Sequence, residues 1–566
     1  MSISDLIAKF LVFNKIDTAF IYPGGTIAPL INSFIKYKIK IEVFKSEQGA
    51  GYAALANSMA TGVPQLLLVT SGPGFTNVIS CICDAFFDSI PLFIISGQVG
   101  TGDLLSNRKV RQLGFQQVDG ANMMRGVTKY SSCFESEFNF EVLDNVLDLT
   151  TDGRMGPVYL ELPMDIQRKA YYRFENVGTA TPPKLLSKGI SKPTKSQVEK
   201  FTELFNASKK PLVLVGGGAI SDVKTYQSLN AFVRKTNLPF VSSFRGIGVT
   251  TYEDPLNLGY LGHTGHEQAN RAAFEADFIL VLGSRLDVRQ TGTEVDDFSS
   301  GKCIFSVNND ESELEYSRVK LDYEICTEVY DFLQKLSEVN SSLFKKPNDD
   351  WMRQLAKLKR EARNDISKNG KVFAARILVS TVSQIVTGSV GVVTGVGSHQ
   401  HWVARHFDFC IPKRRLFSSS GHGTMGYDVP SAVGVAMSNE FDITICFVGD
   451  GSIMHNICEL RSAVDRDLNI AFIVFRNRRL GIVSQFQKIT FGADPTTSHF
   501  QTGDLCQVAS GFGLSAINVN FDDEEALREF LVSSKSPRLA VVDIPEEEDV
   551  SPMLLGGSKL NELWTL

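Results

Sequence analysis

Two short segments in the last third of the chain place oxygen donors at the ends of apolar runs. Ile443 to Val448 leads into Gly449-Asp450-Gly451-Ser452, and Ala471 to Phe475 delivers Asn477, followed by Arg478-Arg479-Leu480-Gly481. In a parallel sheet the carboxyl ends of the strands share one edge, so Asp450 and Asn477 can converge there. One carboxylate, one amide oxygen and one loop carbonyl suit Mg²⁺ or Ca²⁺, with diphosphate oxygens and water completing the shell. Gly449 and Gly451 let backbone N–H groups reach phosphate oxygens with no Cβ in the way, and Ser452 stands beside them. Taken alone, Gly-Asp-Gly is as readily a tight turn whose Asp caps the following helix.

The elements that must position these donors follow from the pattern around them. Short β-rich runs (Thr18 to Tyr22, Gln65 to Thr70, Pro91 to Ser96, Pro211 to Val215, Phe278 to Leu282, and the two above) alternate with longer helical stretches, the pattern of parallel sheets covered by helices. Polar stretches at 175–196 and 339–350 break the rhythm and read as linkers. The expected architecture is α/β, with three doubly wound parallel-sheet domains at 1–175, 190–338 and 352–566. The 566 residues are enough for three cores. Fifty-seven Lys and Arg against 63 Asp and Glu leave a formal net charge of −6, which gives no general attraction to nucleic acid or anionic lipid. Met1 to Phe13 reads as a domain-opening helix rather than a signal peptide, and no uncharged apolar run has membrane-spanning length. The nine cysteines include no CxxC pair and read as reduced thiols, which suggests a cytoplasmic protein. Cys81 and Cys83, the closest two, would point apart on a strand.

Gly-Asp-Gly with a following Asn at this spacing is the motif of thiamine-diphosphate enzymes, and nearly the whole chain resembles their acetohydroxyacid synthase branch. The resemblance implies thiamine diphosphate, Mg²⁺ and FAD as cofactors, and it places the metal donors on Asp450, Asn477 and the carbonyl of Arg479. In the first domain, Tyr22-Pro23-Gly24-Gly25, Lys45-Ser46-Glu47-Gln48-Gly49-Ala50 and Thr70-Ser71-Gly72-Pro73-Gly74-Phe75-Thr76-Asn77 match family segments. There Glu47 would hydrogen-bond N1′ of the aminopyrimidine, so that the 4′-nitrogen can take the thiazolium C2 proton, which requires a carboxyl away from bulk water. By itself Glu47 is equally a helix-start residue. Pro23, Gly24, Ser71 and Asn77 would contact the same cofactor, and Phe115 and Gln116 would lie beside the reacting carbon. In the third domain Val396, Gly397, Ser398, His399, Gly423, Met425, Gly451 and Ser452 match cofactor positions, Met425 as a wedge between the two rings. For FAD the resemblance names Arg154, Gly216, Gly217, Gly218, Gly283, Arg285 and Arg289. Asn308 and Asn309 stand where a more acidic stretch is usual.

All eight histidines lie at 263 or later, so the first domain lacks the His pair of simple decarboxylases, and a carboligase is expected. Pyruvate would lose CO₂ and its two-carbon unit would add to an acceptor carbonyl, in a homodimer or homotetramer with active sites between subunits. Phe486 and Met164 stand where the family carries a Trp and a Lys. That substitution suggests a roomier acceptor site, and with the run from Leu282 to Gly292 it resembles sugar-branching carboligases of the yersiniose type, which implies a ketone acceptor such as a nucleotide-linked deoxy-4-ketosugar in branched-sugar (surface polysaccharide) biosynthesis. The alternative is acetolactate synthase, joining two 2-ketoacids; a pyruvate oxidase or a silent paralogue stands further off.

Overall fold

The computed structural model describes residues 1–104, 109–135, 138, 140–171, 190–340, 343–364, 373–492 and 496–565. Most of the expected linker at 175–196 lies outside the described residues. The strands fall into three six-stranded sheets. The first holds β1 (Thr18–Ile21), β2 (Lys40–Val43), β3 (Gln65–Val69), β4 (Leu92–Gln98), β5 (Tyr130–Cys133) and β6 (Pro157–Pro163), in the order β2-β1-β3-β4-β6-β5. The second holds β7 (Pro211–Val215), β8 (Phe240–Ser242), β9 (Asn257–Tyr260), β10 (Phe278–Leu282), β11 (Cys303–Asn308) and β12 (Tyr323–Cys326), in the order β12-β11-β10-β7-β8-β9. The third holds β13 (Val390–Thr394), β14 (Arg414–Phe417), β15 (Ile443–Gly449), β16 (Ile470–Arg476), β17 (Ser515–Val519) and β18 (Arg538–Asp543), in the order β14-β13-β15-β16-β18-β17.

Pairing is parallel in all three, as helix crossovers require. Central strands such as β4, β7 and β10 are buried along their whole length, which is why they read as apolar runs without alternation. The third sheet repeats the strand order of the first, element for element, a duplication that leaves no short repeat in the sequence. The central sheet has instead the order of dinucleotide-binding sheets, with its switch point between β7 and β10.

The first and third domains share one core. Helix Glu47–Thr61 after β2 packs on helix Asp428–Met437 after β14, its topological counterpart. The contact is close because Gly434 faces backbone: a Cβ there would lie 2.1 Å from the Ala53 carbonyl oxygen. Buried carboxylates of one domain hold the loops of the other. Glu459 accepts from Lys45 N (3.1 Å) and Ser46 Oγ (3.0 Å), while Asp88 accepts from the backbone N–H groups of Ser420 and Gly421.

Two expectations are corrected. Cys81 and Cys83 lie on helix Ile79–Phe87 rather than a strand; all nine cysteines are unpaired. The helix Asp349–Asn364, assigned to the linker and the third unit, packs Trp351, Leu355 and Leu358 into the central domain's core, with Trp351 Nε1 donating to the Pro211 carbonyl. The C-terminal hairpin, Met553–Leu554 with Leu563–Trp564, also reaches that domain through Leu554 and Leu560. No helix of the described residues is long and apolar enough to cross a membrane.

Gly434→Ala forces the two helices apart and is expected to cost about 1–3 kcal/mol, the usual range for overpacking. Gly126, with open space around it, serves as the control; Gly126→Ala should change stability by under about 0.5 kcal/mol. The thermal midpoints of both variants against wild type check this.

Candidate active site

Asp450 is the first residue after β15, and the Asn477 loop begins directly after the neighbouring β16, so both stand at the carboxyl edge of the third sheet. The sheet's switch point lies between β13 and β15, where helix Ser398–His406 also begins. Asp450 is buried and accepts from Gly451 N (2.9 Å) and Arg478 N (2.8 Å), and burial pushes its carboxyl up to about 6. Arg478 adopts a left-handed φ of 56°, an unusual conformation for a side chain this large, which turns the chain sharply between Asn477 and Arg479. On the far side Leu480 N donates to Ser498 O and Phe500 N to Arg478 O, both at 2.8 Å. Among the described residues no hydrogen bond ends on the Arg479 carbonyl oxygen. The Arg479 guanidinium is itself buried, paired with Asp549 at 2.9 Å.

Around this donor set lies a cradle with polar atoms that lack partners. Ser398 Oγ and His399 Nε2 are buried and unbonded, and burial lowers the His399 imidazole to about 3, so it is neutral at pH 7. Gly397 holds the N-cap of their helix at φ 149°, a glycine conformation. A Cβ on Gly481 would meet Ser398 Oγ at 2.6 Å and Asn477 Nδ2 at 3.0 Å, and one on Gly451 would meet Leu480 Cδ2 at 2.7 Å, with Met425 Cε at 3.7 Å. The structure therefore brings Ser398, Met425, Gly451, Asn477 and Leu480 together. Unbonded hydroxyl and imidazole groups, free backbone space and a carboxylate–amide–carbonyl triad fit a diphosphate held through a divalent cation. Ser452 Oγ is already committed, donating to Asp428 (2.6 Å) and accepting from Gly426 N (3.0 Å). Val396 is half-buried at the same edge. Gly423, at φ 80°, belongs to a loop fixed by Ser419, whose Oγ accepts from Gly423 N and Thr424 N and donates to Asp84 of the first domain.

The first domain forms its own cluster. Glu47 opens its helix, with Ser46 as N-cap accepting from Gly49 N, so the helix-start reading of Glu47 is realised as well. Its carboxyl is half-buried in the single chain and accepts from Asn77 Nδ2 at 3.0 Å. Gly24 lies against Thr70, Thr26 Oγ1 is 2.8 Å from Thr70 Oγ1, and Ser71 Oγ is buried without a partner. Pro23 is exposed at the rim. Gln116 has φ 65°, and its backbone packs on Gly72, where a Cβ would come within 2.9 Å of the Gln116 carbonyl oxygen. Phe115 beside it is 86% exposed, and Phe486 in the third domain 60%. Among the described residues Glu47 makes no hydrogen bond to the third domain.

The central sheet's switch point opens into a cavity of about 430 Å³, within the range of cofactor sites. Gly217, Gly218, Gly283, Arg285, Arg289 and Arg154 line it, as do Asn308 and Asn309. Gly216 does not; a Cβ there would lie 2.0 Å from Gly283 O, so this glycine permits the close approach of the two strand ends. Arg154 is partly engaged: its Nη1 pairs with Asp310 (2.9 Å) and Glu313 (2.5 Å), and its Nε donates to Ser89. Glu328 lines the cavity beside Asn308 and Asn309 and accepts from Asn309 Nδ2 at 3.1 Å, and Glu313 lines it too. Glycines, Arg289 without an ion pair among the described residues, and a dinucleotide-type sheet fit a dinucleotide such as FAD. The sequence reading missed His263 and His401, which line the same cavity, His401 with Nδ1 at 2.8 Å from Thr264 Oγ1. Only His401's place beside the matched segment ending at Gln400 pointed to it.

Comparison with known proteins agrees with this geometry. Residues 1–123 match the N-terminal TPP binding domain of thiamine pyrophosphate enzymes, 198–336 their central domain and 395–544 their C-terminal TPP binding domain. The catalytic subunit of mitochondrial acetolactate synthase from Saccharomyces cerevisiae is 30% identical over 97% of this chain and 81% of that protein. The large subunits of Escherichia coli acetolactate synthase isozymes 2 and 1 are each 30% identical, covering 97% and 99% of this chain and 96% and 97% of their own lengths. The chain belongs to the acetolactate synthase-like family of thiamine-diphosphate enzymes, carboligases that form carbon–carbon bonds with thiamine diphosphate, Mg²⁺ and FAD. The relatives give no support to a sugar-ketone acceptor.

A cation bound at Asp450 must displace a proton below pH 6, because the carboxyl's raised value leaves it protonated there. Mg²⁺ affinity of the apo-protein is therefore expected to fall by up to about tenfold per pH unit below 6 and to level off above it. Calorimetric titrations at pH 5, 6 and 7.5 give the slope.

Proposed function

We propose that this enzyme joins two 2-ketoacids, taking a two-carbon unit from pyruvate with loss of CO₂ and adding it to the carbonyl of a second molecule, as its acetolactate synthase relatives are named for doing. The observation that carries this reading is the similarity to those proteins over nearly the whole chain. Thiamine diphosphate, when bound, supplies the carbon nucleophile and the electron sink for decarboxylation. The protein's share is positional. Asp450, Asn477 and the Arg479 carbonyl would hold the cation, and Ser398, His399 and the Gly451 backbone would hold the diphosphate. Met425 would pack against the cofactor's rings, and Glu47, steadied by Asn77, would hydrogen-bond N1′ of the aminopyrimidine. Val396, Gly423 and Ser452 complete the wall, as do Pro23, Gly24 and Ser71 on the other side. Gly217, Gly218, Gly283, Arg285, Arg289 and Arg154 would hold FAD, and Gly216 lets the two strand ends approach each other.

The two halves of this site are built in different domains, and large aromatic side chains, Phe115 and Phe486, stand in water in the single chain. Both features support a homodimer or homotetramer in which one chain's Glu47 side meets another chain's cation side, so that Phe115, Gln116 and Phe486 enclose the substrates and exclude water. A second reading keeps the chemistry and changes the acceptor. Met164 opens the short helix after β6, and Phe486 is smaller than a Trp; two uncharged side chains at these positions would support an acceptor site for a ketone such as a nucleotide-linked 4-ketosugar.

Labelled pyruvate with all three cofactors, alone and with cyclic or sugar ketones, separates the readings. Acetolactate as the main product is the expected result, and label in a tertiary alcohol at higher efficiency would move the acceptor to a ketone. Glu47→Ala is expected to lower CO₂ release by about 10²–10⁴-fold, the usual worth of a positioned proton-transfer group. Unchanged release would remove Glu47 from the mechanism.

A further inference from the structure

The cation donor set places an unusual demand on its loop. Three consecutive residues must present a side-chain oxygen (Asn477), a left-handed turn (Arg478, φ 56°) and a free carbonyl (Arg479). One end is fixed by the Arg478 N–H on Asp450, at 2.8 Å. The other is held by the Arg479 side chain, which runs into the interior rather than to water. Its Nη2 meets Asp549 Oδ1 at 2.9 Å and its Nη1 donates to Ser484 Oγ at 3.2 Å, with both charged side chains 5% exposed or less. Asp549 comes from the strap that follows β18, and this strap is anchored on both sides of it. Glu548 accepts from Ala374 N and Ala375 N, and Val550 exchanges two hydrogen bonds with Gln485, at 2.8 and 2.9 Å. Further on, Arg405 donates to the carbonyls of Ser551 and Pro552. Asp549 is thus a fixed anion on a rigid support, and Arg479 reaches it from the loop that must hold the cation.

We propose that Asp549 is a positioning residue for the divalent cation: by clamping the Arg479 guanidinium it sets the place of the Arg479 carbonyl and the Asn477 amide oxygen. The pair also removes a positive charge from the neighbourhood of the cation, which an unpaired guanidinium so close would repel. This inference rests on the reading of Asp450, Asn477 and Arg479 as cation donors and not on the identity of the acceptor substrate.

The test is Mg²⁺ titration of the full-length protein at fixed thiamine diphosphate, followed by tryptophan fluorescence and calorimetry, with FAD binding and thermal midpoint as measures of intact folding. Asp549→Asn breaks the pair but leaves a buried guanidinium alone; the double variant Arg479→Met with Asp549→Leu removes both charges and keeps the backbone carbonyl. Both are expected to weaken Mg²⁺ binding by about 10–100-fold, the range for residues that orient metal ligands, with FAD binding unchanged. An Mg²⁺ affinity within about twofold of wild type in the folded double variant overturns the proposal, since the clamp is then dispensable and any single-variant effect came from the stranded charge. Asp450→Ala separates this from failure of the underlying reading: loss of Mg²⁺ binding there supports the donor set, and wild-type binding there overturns the donor set and the clamp together.

Discussion

The approach of two helix backbones around Gly434 and Ala53 is the contact on which the rest of the structure depends. Helices Glu47–Thr61 and Asp428–Met437 begin at the carboxyl edges of the first and third sheets, and each begins at a carboxylate, Glu47 in one and Asp428 in the other. When they pack at glycine distance, the two sheets become one body with a single apolar core. That fixes where each active edge faces. A wider crossing would leave Glu459 short of Lys45 and Ser46, and Asp88 short of the loop that carries the residues before Met425.

Buried carboxylates recur at these joints. Asp84, Asp88, Glu459 and Glu548 each accept from backbone N–H or hydroxyl groups across an element boundary, and Asp549 pairs with Arg479. Taking a carboxylate out of water is costly unless its oxygens are filled, and it is repaid only where donors are in fixed places. Such groups therefore specify one arrangement of loops more than they add net stability. Burial raises the carboxyls of Asp84, Glu459 and Glu548, Glu548 to about 7. The loops they hold carry the glycines, the Met425 segment and the cation donors, so order at the joints becomes order at the active edge.

The central domain joins this body by different means. Trp351, Leu355, Leu358 and the C-terminal hairpin cover one face of its sheet, while Arg405 of the third domain is buried among the carbonyls of Thr264, Gly265, Ser551 and Pro552. A guanidinium has five donors in one plane, and four carbonyls from two segments satisfy most of them without a counter-ion. The cavity at the β7 and β10 ends lies next to this junction, lined by His263 of the central domain and His401 of the third.

The sequence by itself determined the elements and the chemistry at their ends. Short apolar runs of β-branched residues bounded by turn residues read as buried parallel strands, and the segments from Gly449 to Ser452 and from Asn477 to Gly481 then sit where such strands end; these were legible because strand, turn and donor are local in the chain. The Glu47 and Met425 segments were legible through family resemblance. Tertiary structure alone decided the rest, because it depends on contacts between residues far apart in sequence. The helix at Asp349–Asn364 went to the central domain because its apolar face met that sheet, and its own composition does not say which neighbour it covers. Glu328 came to lie beside Asn309 at the cavity, Gly216 proved to be a spacer for Gly283, and Asp549 reached Arg479. None of these pairings leaves a periodicity or spacing to read, since each is made by side chains on separate segments that only the tertiary fold brings together.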